Sequence, residues 1–305
     1  MATDAAPSLT EQHNPRSADM DALCAADLVR LFAEEDRRAV EATVAVADDT
    51  ARAVEWAASS MRAGGRLLYV GAGTSGRLGV LDASECPPTF GVDASTVVGI
   101  IAGGDGALRT SAEGAEDDAA AGVAAIAERD VSARDVVLGI AASGRTLYVL
   151  GALREARRRS ARSVLLSCTP PHGDVRAYID LFITPLVGPE LVSGSTRLKA
   201  GTATKLVLNQ VSTGAMVLLG KVYGNRMVDV KPVNLKLRRR AVSLVADIGG
   251  VDPATGERAL DAAGGDVKVA VLSLRRGVGY DEAAAALAAA GGSLRSALQA
   301  TVGES

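Results

Sequence analysis

A parallel sheet flanked by helices in a three-layer α/β/α arrangement, with N-terminal helices before it and a small three-helix C-terminal domain after it, is the fold this sequence predicts. Three observations carry the prediction. Short, almost wholly apolar runs recur between residues 66 and 184, each followed by a glycine- or serine-rich turn and then a helical stretch. Strands that are apolar on both faces and alternate with helices belong to parallel sheets covered on both sides. On either side of this region the apolar positions fall at helical spacing, and a 48% hydrophobic, 23% charged composition over 305 residues supplies the core such a fold needs.

Taken in order, the first 20 residues are polar, hold Pro7 and Pro15, and read as an arm over the surface. From about Asp21 to Met61, Leu23, Leu28, Leu31 and Phe32, then Val40, Val44, Val54 and Trp56, predict two helices. The expected strands are Arg66–Val70, Val97–Ala102, Val136–Ala141, Ser163–Ser167 and Leu181–Thr184. Residues 199–223 return to a helical pattern with small residues (Gly201, Thr202, Ala203, Gly214, Ala215) that permit close packing. After Gly249–Gly250, glycine pairs punctuate short amphipathic segments, among them the alanine-rich run Glu282–Ala290, which good helix formers and a glycine stop make an ordinary helix. The domain boundaries are therefore placed at 1–60, 61–245 and 246–305.

Composition excludes several function classes. Lys plus Arg number 33 and Asp plus Glu 36, a net charge of -3, so no basic excess suits nucleic acid; Arg157, Arg158 and Arg159, next to Arg154 and Glu155, read as the wet face of a helix. Cys24, Cys86 and Cys168 form no CxxC pair or disulfide framework, which suits a reducing compartment. His13 and His172 lie in no metal-ligand spacing, so no metal is expected. The N-terminus lacks a signal-peptide pattern and no apolar stretch is long enough to span a membrane. The chain reads as a soluble, cytoplasmic protein with no membrane or nucleic-acid partner.

The most informative segment runs from Tyr69 to Gly91. An expected strand enters Gly71-Ala72-Gly73-Thr74-Ser75-Gly76, and a helix is expected to begin near Arg77. Glycines let the backbone close on an anion, exposed N–H groups at the helix start point at it, and Thr74 and Ser75 add hydroxyl donors. Gly71, Gly73 and Gly76 also satisfy a dinucleotide fingerprint, but that requires an acid at the end of a second strand. Here Leu81-Asp82-Ala83-Ser84-Glu85-Cys86-Pro87-Pro88 follows, and the two prolines predict a loop. A second turn, Ser143-Gly144-Arg145-Thr146, again joins an apolar strand to a helix. Its hydroxyls either cap that helix or meet a phosphate, and the two roles are compatible.

These two turns resemble the phosphosugar loops of sugar isomerase (SIS) domains, and the run from Gly71 to Gly91 is similar, almost letter for letter, to the signature of bacterial N-acetylmuramic acid 6-phosphate etherases. The likeness continues through Thr10–Pro15, Ile101–Gly104, Glu113–Asp118, Gly188–Lys205 and Gly224–Val230; Cys168-Thr-Pro-Pro-His-Gly173 departs from the family's Cys-Asn-Pro type. The resemblance implies a carbon–oxygen lyase of the hydro-lyase type that uses no cofactor. It would convert N-acetylmuramic acid 6-phosphate and water to N-acetylglucosamine 6-phosphate and D-lactate in peptidoglycan recycling. It also implies a homodimer, since in this fold a neighbouring subunit commonly finishes the pocket, with Arg238, Arg239 and Arg240 at the surface near the contact.

The chemistry needs a base at C2, acidified by the C1 aldehyde of the open-chain sugar, and an acid at the C3 ether oxygen. Two carboxyls of different pKa suffice. By resemblance, Glu85 is the proton-donating glutamate and Glu116 the second catalytic one. Which of them takes the C2 proton stays open, as does a part for Glu113, expected three residues away on the same helical face. Gly73, Thr74, Ser75 and Gly76 with Ser143, Gly144, Arg145 and Thr146 would hold the phosphate. Glu190, Ser195 and Lys199 resemble residues lining the sugar end; Lys199 either meets the phosphate or covers its helix. Cys86, without a basic neighbour in sequence, reads as buried packing. The alternative is a non-catalytic phosphosugar sensor resembling glucokinase regulatory proteins. Those are about twice as long with two SIS domains, whereas one SIS domain and both glutamates are present here.

Overall fold

The structure, a computed structural model, describes residues 9–171, 173–230 and 235–300. Pro7 of the expected arm and His172 of the Cys168–Gly173 loop lie outside the described residues. Two compact units are present: Met1–Ser84 with Ala94–Ser212, and Glu85–Asp93 with Thr213–Ser305.

The first unit opens with three single turns, Leu9–Glu11, Pro15–Ser17 and Met20–Ala22, and the helices α1 (Ala25–Val44) and α2 (Ala47–Arg62). Then follow β1 (Leu67–Gly71), α3 (Gly73–Phe90), β2 (Val97–Ile101), α4 (Ala119–Ala127), β3 (Val136–Ile140), α5 (Leu147–Arg158), β4 (Arg162–Leu166), β5 (Leu181–Ile183) and α6 (Lys199–Leu218). The five strands pair in parallel in the order β2-β1-β3-β4-β5. Each expected strand is found, shifted by a residue or so at its ends. Every residue of β1 and β3 is buried, as continuous apolar runs require of central parallel strands. Leu68, Val70, Val137, Val149, Leu153 and Leu165 share one core cluster.

Connectivity fixes where a ligand can sit. From β1 the chain crosses to β2 on one side; from β2 it returns to β3 on the other. The order therefore reverses between β1 and β3, and in open parallel sheets the crevice beyond the carboxyl ends at such a reversal is where ligands bind.

Two local expectations are corrected. The segment from Leu81 to Pro88 is not a loop: α3 runs unbroken from Gly73, four residues before its expected start, through Pro87 and Pro88 to Phe90. Prolines break helices by removing N–H donors and by clashing one turn back. These two sit in the last turn, where the loss falls on the carbonyls of Ala83 and Ser84, while Cys86 and Phe90 are buried around them. Glu85 is thus an exposed helical residue, and Cys86 is buried as expected. Second, Glu113 and Glu116 do not share a helical face. Glu113 lies in a turn, Gly114 takes the left-handed φ of 72°, and Ala115–Asp117 form one turn of 3-10 helix.

The second unit holds the end of α6, a two-residue hairpin β6 (Val222–Tyr223) and β7 (Arg226–Met227), and α7 (Leu235–Gly249). It continues with α8 (Pro253–Ala262), α9 (Val267–Arg276), α10 (Tyr280–Ala289) and α11 (Leu294–Gln299). Among the described residues four helices thus follow Gly250 where three were expected, because six residues of α11 are too few to display a period. Val245, Leu260, Val271, Leu272 and Leu294 join in its core. Asp252 and Asp266 cap α8 and α9 by accepting from the N–H groups of Thr255 and Val269.

Candidate functional site

The site is built on the turn between β1 and α3. A side chain at Gly71 would stand 2.6 Å from the Gly76 nitrogen, and one at Gly76 would meet Ile101 Cγ1 at 2.6 Å and the Gly71 carbonyl oxygen at 2.7 Å. Only bare backbone lets α3 begin this close to the strand, and Gly73 takes the left-handed φ of 51° to make the corner. The first-turn N–H groups of α3, which have no partner within the helix, face the carboxyl end of the sheet, with Thr74 and Ser75 half-buried among them.

The second turn lies one strand over, since Gly71 and Ile140 are paired across β1 and β3. Gly144 takes φ 68°, its N–H bonds to the Ala141 carbonyl at 2.8 Å, and Ser143 Oγ accepts from the Arg145 N–H at 3.2 Å. Thr146 occupies the N-cap of α5 without a capping bond from its side chain. Both turns therefore sit on either side of the strand-order reversal.

Beside the first turn is a cavity of about 250 Å³ lined by Ala72, Gly73, Arg77, Ala102, Ala107 and the whole run Ser111–Glu116. Arg77 is fixed at its edge by donating from Nε to the Leu108 carbonyl at 3.1 Å. Glu116 is exposed at the rim with Glu113. Of the two glutamates singled out in the sequence, the structure brings Glu116 to this cavity, and it places Glu85 on the exposed side of α3, within the second compact unit.

The third group, Glu190, Ser195 and Lys199, is differently employed. The Glu190 carboxylate is fully buried and accepts from the N–H groups of Lys199 (3.1 Å) and Ala200 (2.9 Å), capping α6. Burial pushes its pKa up, against the opposing pull of those two N–H groups. Lys199, 1% exposed, turns its ammonium to Glu35 and to the Pro189 carbonyl at 2.7 Å. Of the two roles left open for it, phosphate ligand or helix cover, the structure shows a third, a buried ion pair. Ser195 is half-buried in the turn just before α6. The start of α6 does reach the turn between β1 and α3: a side chain at Gly201 would come within 3.7 Å of Thr74 Cγ2.

Glu35 itself was missed in the sequence. Burial alone would raise its pKa; hydrogen bonds from Lys199 and Asn14 and the charges of Lys199 and Arg38 overcome this and hold it low. The signal was available: Glu35, Ala39 and Ala42 fall on one face of α1, an acid within a buried stripe. Arg77 was read only as part of a motif, although its spacing one turn into α3 is what brings it over the cavity.

Similarity to known proteins bears on the whole chain. Residues 49–157 match the family model described as the glucokinase regulatory protein N-terminal SIS domain. An N-acetylmuramic acid 6-phosphate etherase of Pectobacterium atrosepticum is 50% identical over 290 residues, covering 95% of each chain. One of Synechococcus is 52% identical over 292 residues, covering 96% of this chain and 92% of the relative. A solved phosphoheptose isomerase from Neisseria gonorrhoeae aligns with a TM-score of 0.43 at 19% identity, over 62% of this chain and 97% of the other. Half of all positions are thus shared with its relatives along almost the entire length, and the chain belongs to the N-acetylmuramic acid 6-phosphate etherase family.

Proposed function

We propose that this chain cleaves the D-lactyl ether of N-acetylmuramic acid 6-phosphate, giving N-acetylglucosamine 6-phosphate and D-lactate. The observation that supports it most is the cavity beside the turn between β1 and α3, with the bare N-terminus of α3 on one side and Glu116 on the other. The phosphate lies against the first-turn N–H groups of α3 and the hydroxyls of Thr74, Ser75, Ser143 and Thr146. This leaves the sugar chain to extend toward Glu116.

The reaction is of the hydro-lyase type. A carboxylate takes the C2 proton, the C3–O bond breaks, and a carboxylic acid delivers a proton to the departing lactate oxygen, leaving a C2=C3 enal. Water then adds at C3 and a proton returns to C2, so the sum is substrate plus water. Glu85 acts as the acid and Glu116 as its partner, in the order the family resemblance implies. The protein works in the cytoplasm as a homodimer whose second copy finishes the pocket.

Lactate release from N-acetylmuramic acid 6-phosphate tests the reading, with Glu85→Gln and Glu116→Gln beside the wild type. Turnover by the wild type, solvent deuterium at C2 and solvent oxygen at C3, and collapse in both variants are expected. Unchanged turnover in Glu85→Gln overturns the assignment of the acid. The family-model match over residues 49–157 favours a second reading, a phosphosugar-binding regulator. It predicts binding of the sugar phosphate without lactate.

A further inference from the structure

The loop 188–198 that leads into α6 is held from outside by the N-terminal segment. Thr10 accepts from the Gly194 N–H (3.1 Å), Asn14 Nδ2 donates to the Pro189 carbonyl (3.1 Å), and Ser17 Oγ donates to the Leu191 carbonyl (2.8 Å). Ser193 Oγ lies 3.3 Å from His13 Nδ1. These four contacts run side by side along two segments about 180 residues apart in sequence. Beneath them Glu35, wholly buried, gathers Lys199, Asn14 (2.9 Å), Arg16 (2.9 Å) and Arg38 (3.2 Å).

One carboxylate therefore ties together the N-terminal segment, α1 and the first residue of α6. Lys199 also donates to Pro189 and, through its N–H, to Glu190, so both ends of the loop close on the same residue. What this assembly fixes is the start of α6, where the Thr196 carbonyl oxygen and Thr74 Cγ2 are within 3.4 and 3.7 Å of the point a Gly201 side chain would occupy.

We infer that Asn14, Glu35 and Lys199 are positioning residues for substrate binding: the segment Thr10–Ser17 is a strap that sets the distance between Ser195–Gly201 and the phosphate-gripping Thr74. This rests on the phosphosugar reading of that turn. A buried ion pair is weak evidence for stability in itself, but removing one partner exposes the other charge to an apolar interior. Here the first thing to move is the wall beside Thr74.

The test uses the full chain. Asn14→Ala removes the bonds to Pro189 and to Glu35, Ser17→Ala the bond to Leu191, and both leave Glu35 paired with Lys199; Glu35→Gln strands Lys199 and is the more drastic change. KM and kcat for N-acetylmuramic acid 6-phosphate, and calorimetric binding of N-acetylglucosamine 6-phosphate, are measured with thermal melting on each variant. Expected for Asn14→Ala is a KM and a dissociation constant raised about tenfold with kcat within about twofold (a factor of ten is 1.4 kcal/mol), and a larger rise for Glu35→Gln. A lowered Tm with both constants unchanged overturns the inference, because loss of folded enzyme reduces apparent kcat and leaves KM alone. Absence of lactate from the wild type overturns the etherase reading instead, and the binding arm still decides the strap.

Discussion

Two walls approach the start of α3, and they are built on opposite plans. The wall formed by loop 188–198 and the first turn of α6 buries its charged side chains Glu190 and Lys199 and commits both. Glu190 serves two N–H groups, Lys199 serves Glu35 and Pro189, and the strap overlies the rest. The wall formed by Ser111–Glu116 is exposed, turns through a left-handed glycine and a single turn of 3-10 helix, and leaves its carboxylates at the cavity rim. A carboxylate that caps a helix, as Glu190 does, holds an N–H on each oxygen and has its position fixed. A carboxylate that must take and return a proton has to keep its lone pairs for substrate. On the proposed chemistry, Glu190 and Glu116 therefore belong to different tasks.

The largest expected effect separates these tasks. Glu116→Gln should lower lactate release by roughly 10²–10⁴-fold, the range of general acid–base catalysis, with the melting temperature unchanged; a parallel fall in stability would place Glu116 in the committed class. Next, Gly76→Ala drives a methyl group against Ile101 and the Gly71 carbonyl. Overpacking of this kind costs about 1–3 kcal/mol, to be read in denaturant unfolding, and a neutral result would mean that the turn between β1 and α3 is looser than its distances. Glu190→Gln should cost on the order of 1 kcal/mol through the lost cap on α6, seen as a lower Tm. No change in Tm would remove Glu190 from the committed wall.

The smallest effect sharpens the comparison with a third committed carboxylate. Glu155, 5% exposed, is held at about 2, below the ordinary 4.5, chiefly by the Arg158 hydrogen bond and then by Arg159. Its folded pKa lies under its unfolded one, so its stabilisation is complete above the ordinary value and is lost as the pH falls through the folded one. The Tm difference between wild type and Glu155→Gln should thus be constant near neutrality and close between pH 4.5 and about 2 in calorimetry. A gap that persists to acid would mean the ion pairs with Arg158 and Arg159 contribute nothing.

The two turns of the candidate site were legible before any fold was drawn. Gly71, Gly73 and Gly76 announced a turn that only bare backbone can make, and Ser143-Gly144 announced its neighbour. Both turned out to flank the strand-order reversal because apolar runs of strand length specify which segments enter the sheet. The misreadings share one cause. Pro87 and Pro88 were read by local propensity, which forbids helix; burial of Cys86 and Phe90 outweighs a cost confined to the last turn. Lys199 and Glu35 are 164 residues apart, and no local pattern pairs charges across that separation.

The sequence by itself determined the sheet, the glycine turns and the family, because strand burial, backbone freedom at glycine and long shared blocks are written in consecutive residues. Tertiary structure alone decided which charged groups are spent and which are kept. Whether a glutamate caps a helix, neutralises a buried lysine or stands at a cavity rim depends on what distant segments bring to it, and the free energy of a charge is set by those surroundings.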